Sequence, residues 1–471
     1  MSLARPARPA RPPRRAPTEL TFTPDEALLD RWAAEEPDWL TADRRAALAR
    51  VRALPTETNE LYTPYIDLRA ADLADVRAWE EPAGAPTDPA LPVPDETAGL
   101  AVLAEDRVEA MALDPAVAAA GVTLETFGSL ITRDGETARR LIADEESLPL
   151  DDRLAQLTRS SWNQGVVLRV PAGVRVDRPI VLRWGAGTPG RALLSRTVIE
   201  LGEGASAVVL EELVPSAQEV GCAEGATAPQ SLFTGTLEVR LAGRADLAFA
   251  SIQEFGPRVV AFQHRDATIG DAARLHWALA QLGSRLVRSR VDNRLVGDRS
   301  EVEQVEIVFG SDEQLFDLAS YTRHVGRDTT GNLLSKGALL DRSRSYMKGL
   351  IQIDRTAIGT DSFLGEFGMN LSKQARAVAI PSLEIDQPDC RRAAHSSSVG
   401  PIDEGQLFYL ESRGIPPDEA RKVIVLGFLE PVVARVPLPA AQDRLRELLE
   451  AKWAAGWTAS PEAPDRTGRA A

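Results

Sequence analysis

Residues 165–184 read GVVLRVPAGVRVDRPIVLRW, and this stretch carries the pattern that decides the fold. Apolar and polar residues alternate along it with a period of two, which is typical of a β-strand with one buried face. The alternation is interrupted by PAG at 171–173 and by DRP at 177–179, and both interruptions predict turns. The stretch therefore predicts short strands joined by tight turns, without helices between them.

The same pattern continues to about residue 400. Strand-like segments of mostly six to nine residues recur there, separated by Gly, Asp or Asn, as in SEVEQVEIVFG at 300–310 and SYMKGLIQID at 345–354. Short strands without intervening helices fit a sandwich, a barrel or a parallel β-helix, and the pattern leaves all three open. The similar length of the segments and the small residues at their corners favour the β-helix.

Segments with helical spacing lie on both sides of the strands. We predict a helical N-terminal region with a Pro-rich linker at 81–98 and an Ala-rich helical part at 108–157; after the strands, Gly414 ends one helix and a last helix covers about 438–453. The predicted division of the chain is a disordered basic arm at 1–20, the helical N-terminal region at 21–158, the strand core at 159–400, a C-terminal helical region at 401–456 and a disordered tail at 457–471.

Composition excludes several classes of protein. The net charge of −15 argues against nucleic-acid binding, which needs clustered cations. No apolar run reaches the length of about 18 residues that a membrane-spanning helix needs. Two cysteines in 471 residues exclude a disulfide framework and fit a reducing cytoplasm, where we expect the protein to be found. They also exclude an iron–sulfur site made of cysteines alone within one copy, because such a site takes four thiolates.

Residues 381–415 read PSLEIDQPDCRRAAHSSSVGPIDEGQLFYLESRGI. The segment resembles the C-terminal signature of the SufB/SufD family, the paired scaffold subunits of the SUF iron–sulfur cluster assembly system. Similarity to this family extends to GVVLRVPAGVRVDRPI at 165–180 and to HVGRDTTGNLLSKGALLDRSRSYMKGLI at 324–351. The resemblance implies a mainly β fold, with a right-handed parallel β-helix core flanked by N-terminal and C-terminal helical regions.

The resemblance also implies a function. It points to a non-catalytic, SufD-like scaffold subunit that pairs with a SufB-like subunit, is driven by a SufC-like ABC ATPase and binds no ATP itself. A transient iron–sulfur cluster is then expected at the interface with SufB, with His395 as a possible ligand. Cys390 is a less favoured ligand, because it lies five residues before the histidine where the SufD pattern has two, and we interpret it as a small buried apolar residue.

Two differences between this sequence and the SufB pattern favour SufD over SufB. The window at 361–378, where SufB carries a scaffold cysteine, contains none, and Ser396 stands where SufB has a glutamate. The other three histidines are expected to be structural. For the helical segment 403–436 we predict docking of the ATPase, with the partner-binding residues Leu407, Phe408, Leu410, Arg413 and Gly414.

Two alternatives remain at this point. A stand-alone β-helix enzyme acting on polysaccharides needs a carboxylate cluster or a calcium site along one groove, and neither is visible in the sequence. A SufB-like homodimeric scaffold is disfavoured by the missing cysteine.

Overall fold

The computed structural model describes residues 19–55, 67–80, 96–143, 148–216, 228–436 and 439–459. The predicted basic arm, except for its last two residues, and most of the predicted Pro-rich linker lie outside these ranges, as do residues 460–471 of the predicted tail. The last helix continues to Ala459, so the first residues of that predicted tail are helical instead.

The core is a parallel β-solenoid of about eight turns between residues 164 and 400. Each turn contributes one strand to each of two facing sheets, so strands two apart in the chain are neighbours. The first sheet contains β5 (Gln164–Val170), β7 (Arg191–Leu201), β9 (Ser231–Leu241), β11 (Val259–Ile269), β13 (Leu286–Leu295), β15 (Leu315–His324), β17 (Arg344–Ile353) and β19 (Arg376–Ile385). The second contains β6 (Arg175–Ala186), β8 (Ser206–Pro215), β10 (Asp246–Gln253), β12 (Arg274–Gln281), β14 (Glu301–Gly310), β16 (Thr330–Leu339), β18 (Asp361–Asn370) and β20 (Arg392–Gly400). This confirms the predicted parallel β-helix.

The turns stack in register. Arg274 lies beside Glu301, and Glu301 lies beside Thr330, so successive turns advance the chain from position 274 to 301 and then to 330. Several corners use the left-handed backbone region, with φ of 51° at Asp312 and 55° at Asp328, a conformation that Asp tolerates better than most residues. Most strands have 8 to 12 residues and are longer than predicted, because the segments continue almost to the corners.

One predicted turn is wrong. PAG at 171–173 separates β5 from β6, as predicted, but DRP at 177–179 lies inside β6. The register of β6 against β8 shifts between Val176 and Ile180, which marks a bulge. Proline is tolerated in this bulge because the hydrogen bonds between β6 and β8 are interrupted there, so no backbone N–H is needed from Pro179.

The N-terminal region is less helical than predicted. It contains α1 (Glu26–Trp32), α2 (Asp38–Ala53), α3 (Pro115–Ala119), α4 (Phe127–Arg133), α5 (Gly135–Ile142) and α6 (Arg153–Ser161), but also β1 (Arg77–Ala78), β2 (Gly99–Ala104), β3 (Arg107–Leu113) and β4 (Thr123–Thr126). The Ala-rich part at 108–157 is therefore only partly helical. Its first strand pairs with β2, and β2 pairs with β6, so tertiary pairing overrides the helical preference of alanine.

Helices cover the outer face of each sheet. Leu157 and Leu154 from the N-terminal region pack with Phe262 and Leu286 on the first sheet. The C-terminal helices are α7 (Glu404–Ser412), α8 (Pro417–Val433) and α9 (Pro439–Ala459), and residues of α8 and α9 pack on the second sheet. Burying one large apolar side chain stabilises a fold by about 1.5–3 kcal/mol. Because each of the two helix–sheet contacts buries several such side chains, the helices are fixed to the sheets. None of the helices in the described ranges is long and apolar enough to cross a membrane.

Candidate functional site

The C-terminal end of the β-helix is open. Within the described ranges, β19 and β20 each bond to one neighbour only, whereas the opposite end continues into β4 and the β2–β3 hairpin. An unpaired strand edge presents free backbone N–H and C=O groups. Apolar side chains accompany it, since Ile385 is 45% exposed and Val399 is 39% exposed. This end therefore combines unpaired backbone with exposed apolar surface.

His395 lies on β20, at the open end of the space between the two sheets. It is in register with Leu364 of β18, which is fully buried in an inner apolar cluster. Ala393, two residues before it on β20, packs against the same cluster. Because strand side chains alternate, His395 is directed to the same side as Ala393. No further turn covers it, and the imidazole is exposed at the rim.

Cys390 lies in the connection between the last two strands. It is a free, half-buried cysteine that packs against the apolar cluster containing Leu364, near Leu383 and Ala393. These contacts fit a small apolar residue better than a metal ligand. The second cysteine, Cys222, lies outside the described residues.

Glu366 was missed by the sequence reasoning. It is in register with Ser397 of β20 and is only 1% exposed. The N–H of Ile380, on β19, donates to its Oε2 at 2.9 Å. Burial raises the pKa of Glu366 to about 8, against the smaller opposite effect of that N–H. The signal was present in the sequence, because alternation in SFLGEFG places the glutamate in the same phase as the inward Leu364.

Other charged groups lie deeper between the sheets. Arg265 donates to Glu211 at 2.7 Å and to Gln263 at 2.8 Å, so its charge is compensated inside the fold. Glu306 accepts from Ser289 at 3.1 Å, and burial raises its pKa to about 7, with Arg265 acting in the opposite direction. The strand alternation predicted an apolar interior and did not predict this polar layer.

On the outer face of the first sheet, His264, Asp266 and Asp292 bring their ligand atoms within 4.8 Å of one another. Guanidinium groups already neutralise both carboxylates. Arg290 donates to Asp292 at 2.7 Å, and Arg294 donates to Asp266 at 2.7 Å. The cluster is therefore explained as a buried charge network, in agreement with the structural role expected for His264.

The remaining two histidines also fit structural roles. His324 is fully buried and hydrogen-bonds Thr329 at 2.8 Å and Ser362 at 3.1 Å. Burial lowers the pKa of His324 to about 4, so it is neutral at physiological pH. His276 lies half-exposed on the outer surface, 3.6 Å from Glu303.

The predicted partner-binding residues lie on or next to α7. Phe408 is 72% exposed and Tyr409 is 57% exposed, while Leu407 and Leu410 are half-buried. Arg413 lies 5.2 Å above the ring of Tyr409. Gly414 has φ of +83°, which fits the left-handed position after a helix end and explains the predicted stop. A helix with no buried residue that exposes two aromatic rings is typical of a binding surface.

Helix α8 divides its apolar residues between two environments. Val425 and Leu429 are fully buried against the second sheet, where Ile307 and Phe309 lie. Val423 is 52% exposed on the other side. Only part of the apolar surface of α8 is therefore exposed.

Comparisons of the sequence with known proteins identify its family. Residues 184–428 match the family described as SUF system FeS cluster assembly, SufBD core domain. The chain is similar to the iron–sulfur cluster assembly protein SufD of Bacillus subtilis, with 26% identity over 430 residues that cover 89% of this chain and 95% of that protein. It is also similar to a SufBD family protein of Mycobacterium tuberculosis, with 29% identity over 311 residues that cover 64% of this chain and 74% of that protein.

Proposed function

Because this chain belongs to the SufB/SufD family of the SUF iron–sulfur cluster assembly system, we propose that it is a SufD-like, non-catalytic scaffold subunit of a cytoplasmic assembly complex. A relative named SufD aligns along almost its whole length. The sequence of residues 361–378 supports SufD over SufB, since it lacks a cysteine.

The observation that carries the proposal is the open last turn. We propose that a SufB-like subunit covers it, since β19 and β20 offer unpaired edges beside the exposed side chains of Ile385 and Val399. Strand edges of this kind are normally protected by charge, a bulge or a covering element. A second β-helix with unpaired strands at its end offers the complementary backbone N–H and C=O groups.

The cluster is cargo of this complex. We propose that it forms where the two subunits meet, with His395 as one ligand from this chain, because imidazole is a good ligand for iron and this one is accessible at the rim. Cys390 is packed in the apolar cluster and is not needed in this proposal. The missing thiolates come from the SufB-like partner, since this chain cannot supply four.

The C-terminal helices supply the second contact. We propose that a SufC-like ATPase docks on α7 and the exposed side of α8, through Phe408, Tyr409 and Val423. The same proposed surface includes four further residues on or next to α7, namely Leu407, Leu410, Arg413 and Gly414. ATP is bound and hydrolysed by that subunit, and this chain transmits the resulting movement.

Co-expression with the SufB-like and SufC-like proteins of the same organism tests the two contacts separately. Val399→Glu places a charge on the open edge and is expected to abolish pairing with SufB while SufC stays bound. Phe408→Asp is expected to do the reverse. Val296→Glu is the matched control, because Val296 is 44% exposed in the corner between β13 and β14, and it belongs neither to the last turn nor to α7 or α8.

Native mass measurement of the purified complexes gives the composition. Loss of SufB with Val296→Glu as well as with Val399→Glu would contradict a specific edge contact. A stable homodimer that carries a cluster without SufB would instead support the SufB-like homodimeric scaffold.

A further inference from the structure

A cavity of about 250 Å³ lies between the N-terminal helices and the first strand of the β-helix. It is bounded by the end of α1, by α2 and α4, and by residues 162–165, where α6 passes into β5. An engineered protein cavity of about 150 Å³ binds benzene, so this one has room for a compound of one or two fused rings. The cavity is at the opposite end of the β-helix from the open last turn.

The walls of this cavity are largely aromatic and are held in place by contacts with one another. The guanidinium of Arg44 lies 4.9 Å from the ring centre of Trp32 and 4.1 Å from that of Trp162. It donates to Oε1 of Glu36 at 2.8 Å and to the main-chain carbonyl of Trp162 at 2.9 Å. Phe127 meets the indole of Trp162 edge to face, with ring centres 5.1 Å apart. Because these contacts exist without a ligand, the cavity is largely pre-formed, as small-molecule sites usually are.

Three consecutive lining residues each have a buried polar atom without a hydrogen bond. Oδ1 of Asn163 accepts from the N–H of Leu194 at 3.1 Å, which leaves Nδ2 as an unused donor. Nε2 of Gln164 donates to the carbonyl of Glu105 at 3.2 Å, which leaves Oε1 as an unused acceptor. The indole Nε1 of Trp162 has no acceptor among the described residues. Since an unsatisfied buried polar group is costly, two donors and one acceptor are available to a ligand here.

The charges around the cavity restrict the ligand further. Its lining includes three ionisable side chains, those of Glu35, Glu36 and Arg44. The charge of Arg44 is balanced by Glu36, and Glu35 is exposed at the rim, so the lining has one excess negative charge. An anion such as a phosphate or a carboxylate would meet this charge without a free cation among the lining residues. An uncharged ligand fits the site better.

We propose that this cavity binds an uncharged, planar compound of one or two fused rings that carries neighbouring C=O and N–H groups. The rings pack against the aromatic walls, which offer both apolar area and ring faces. The C=O accepts from the side chains of Trp162 and Asn163, and the N–H donates to that of Gln164. The inference goes beyond the proposed role in cluster assembly and does not rest on it, because the cavity shares no residue with the surfaces proposed for SufB and SufC.

Isothermal titration calorimetry of the full-length chain with 2-quinolinone tests the site. This probe is an uncharged two-ring compound with adjacent C=O and N–H groups, and we expect one site with a dissociation constant of about 0.1 mM or lower, as is typical of a ligand of this size. Quinoline keeps the two rings but lacks this pair of groups, so its affinity should be at least about fivefold lower. Quinoline-2-carboxylate carries a negative charge and should not bind measurably.

Two glycines provide a matched pair of variants. Gly128 of α4 lines the cavity, and a Cβ there would have only Oγ1 of Thr126 within 4 Å, at 4.0 Å. Gly128→Phe is therefore tolerated by the fold and places a ring in the opening, so we expect at least about tenfold weaker binding of 2-quinolinone. Gly135 of α5 also has nothing within 4 Å of an added Cβ but does not line the cavity, so Gly135→Phe should leave the affinity unchanged.

Trp162→Phe tests the hydrogen bonding. It removes the indole N–H and keeps a ring, and the affinity for 2-quinolinone is expected to fall by about fivefold to tenfold, as for loss of one hydrogen bond. Trp453→Phe is the control for a buried indole elsewhere, since Trp453 is 5% exposed on α9 and packs with residues of the second sheet. It should not change the affinity.

Three results would overturn the inference. The first is no saturable binding of 2-quinolinone by the wild-type chain up to millimolar concentration, which would mean that the cavity holds water only. The second is unchanged affinity in Gly128→Phe, or an equal loss in Gly135→Phe, because the probe would then bind elsewhere. The third is equal or tighter binding of quinoline-2-carboxylate, which would contradict the chemical class. Pairing with SufB and SufC, measured as above, does not depend on any of these results.

Discussion

The ammonium group of Lys336 on β16 donates a hydrogen bond of 2.8 Å to the main-chain carbonyl of Phe428 on α8 and lies 4.7 Å from the centre of the Phe428 ring. This contact joins the β-helix to the helical region that is proposed to bind the ATPase. Burial lowers the pKa of Lys336. The lysine, which lies in the family-like segment SKG, therefore has a structural role in holding α8 on the second sheet.

Lys336→Met should loosen this contact. The variant loses one hydrogen bond and one cation–π contact and is expected to lower the free energy of unfolding by about 1–2 kcal/mol. Faster hydrogen exchange of the amides in α8, measured by mass spectrometry, would locate the effect. Lys422→Met is the control, because Lys422 forms only a surface ion pair of 3.5 Å with Glu450 and should change stability by less than about 0.5 kcal/mol. Equal effects of the two variants would contradict the role of Lys336.

Lys452 predicts a pH dependence of stability. On α9 it donates to the carbonyl of Leu282 and, at 2.7 Å, to Oε1 of Gln314, and burial lowers its pKa to about 7, with Asp312 acting in the opposite direction. The unfolded chain therefore binds more protons than the folded chain between about pH 7 and the ordinary lysine pKa near 10.4, so this residue makes the fold more stable as pH rises through that range.

Urea unfolding at pH 6.5 and pH 9.5 measures this effect. Lys452→Met is expected to remove a rise of roughly 1–3 kcal/mol in the free energy of unfolding between these two values, since the side chain is partly accessible and its pKa shift is only partly expressed. The comparison is between variant and wild type, because other acids titrate in the same range with the opposite sign. An identical pH profile in both proteins would show that Lys452 is charged throughout.

The absence of a side chain at Gly297 allows two successive corners of the β-helix to pack closely. A Cβ at this position would lie 2.0 Å from the main-chain nitrogen of Asp271 in the turn below. Gly297→Ala must therefore separate two turns, and we expect a loss of about 1–3 kcal/mol in stability, typical of overpacking. Gly427→Ala is the contrasting variant, because nothing lies within 4 Å of its added Cβ and alanine favours the helix by up to about 1 kcal/mol. Thermal unfolding of both variants, with opposite shifts in Tm, is the measurement.

His395→Ala should reduce cluster loading without affecting the fold. The imidazole is exposed at the rim, so its removal leaves no buried cavity. Iron and sulfide content and the visible absorption of the anaerobically isolated complex are expected to fall. Cys390→Ser should have a much smaller effect on loading, because the thiol packs against apolar residues. A larger loss from Cys390→Ser would reverse this ranking and make the thiol the ligand.

Local pattern was enough to predict many elements. The period-two alternation from 165 to 184 identified strands, because the polarity of each residue in a half-buried strand indicates whether its side chain faces the core or the solvent. Gly414 marked a helix end, because glycine readily adopts the positive φ required there. The family-like segment 381–415 drew attention to His395, and the structure places this residue on β20, the last strand. The Ala-rich part at 108–157 failed, because pairing of β3 with β2 depends on residues distant in the sequence.

By itself, the sequence determined that residues 165–400 form short strands without helices, that helices follow them, and that a histidine lies near the junction. Whether those strands close into a sandwich, a barrel or a β-helix depends on pairing between residues about one turn apart, which alternation does not specify. Only the tertiary structure showed that the last turn is open, and that Glu366 crosses the interior to the N–H of Ile380. These features arise from stacking of turns, which brings together residues that are separated along the chain.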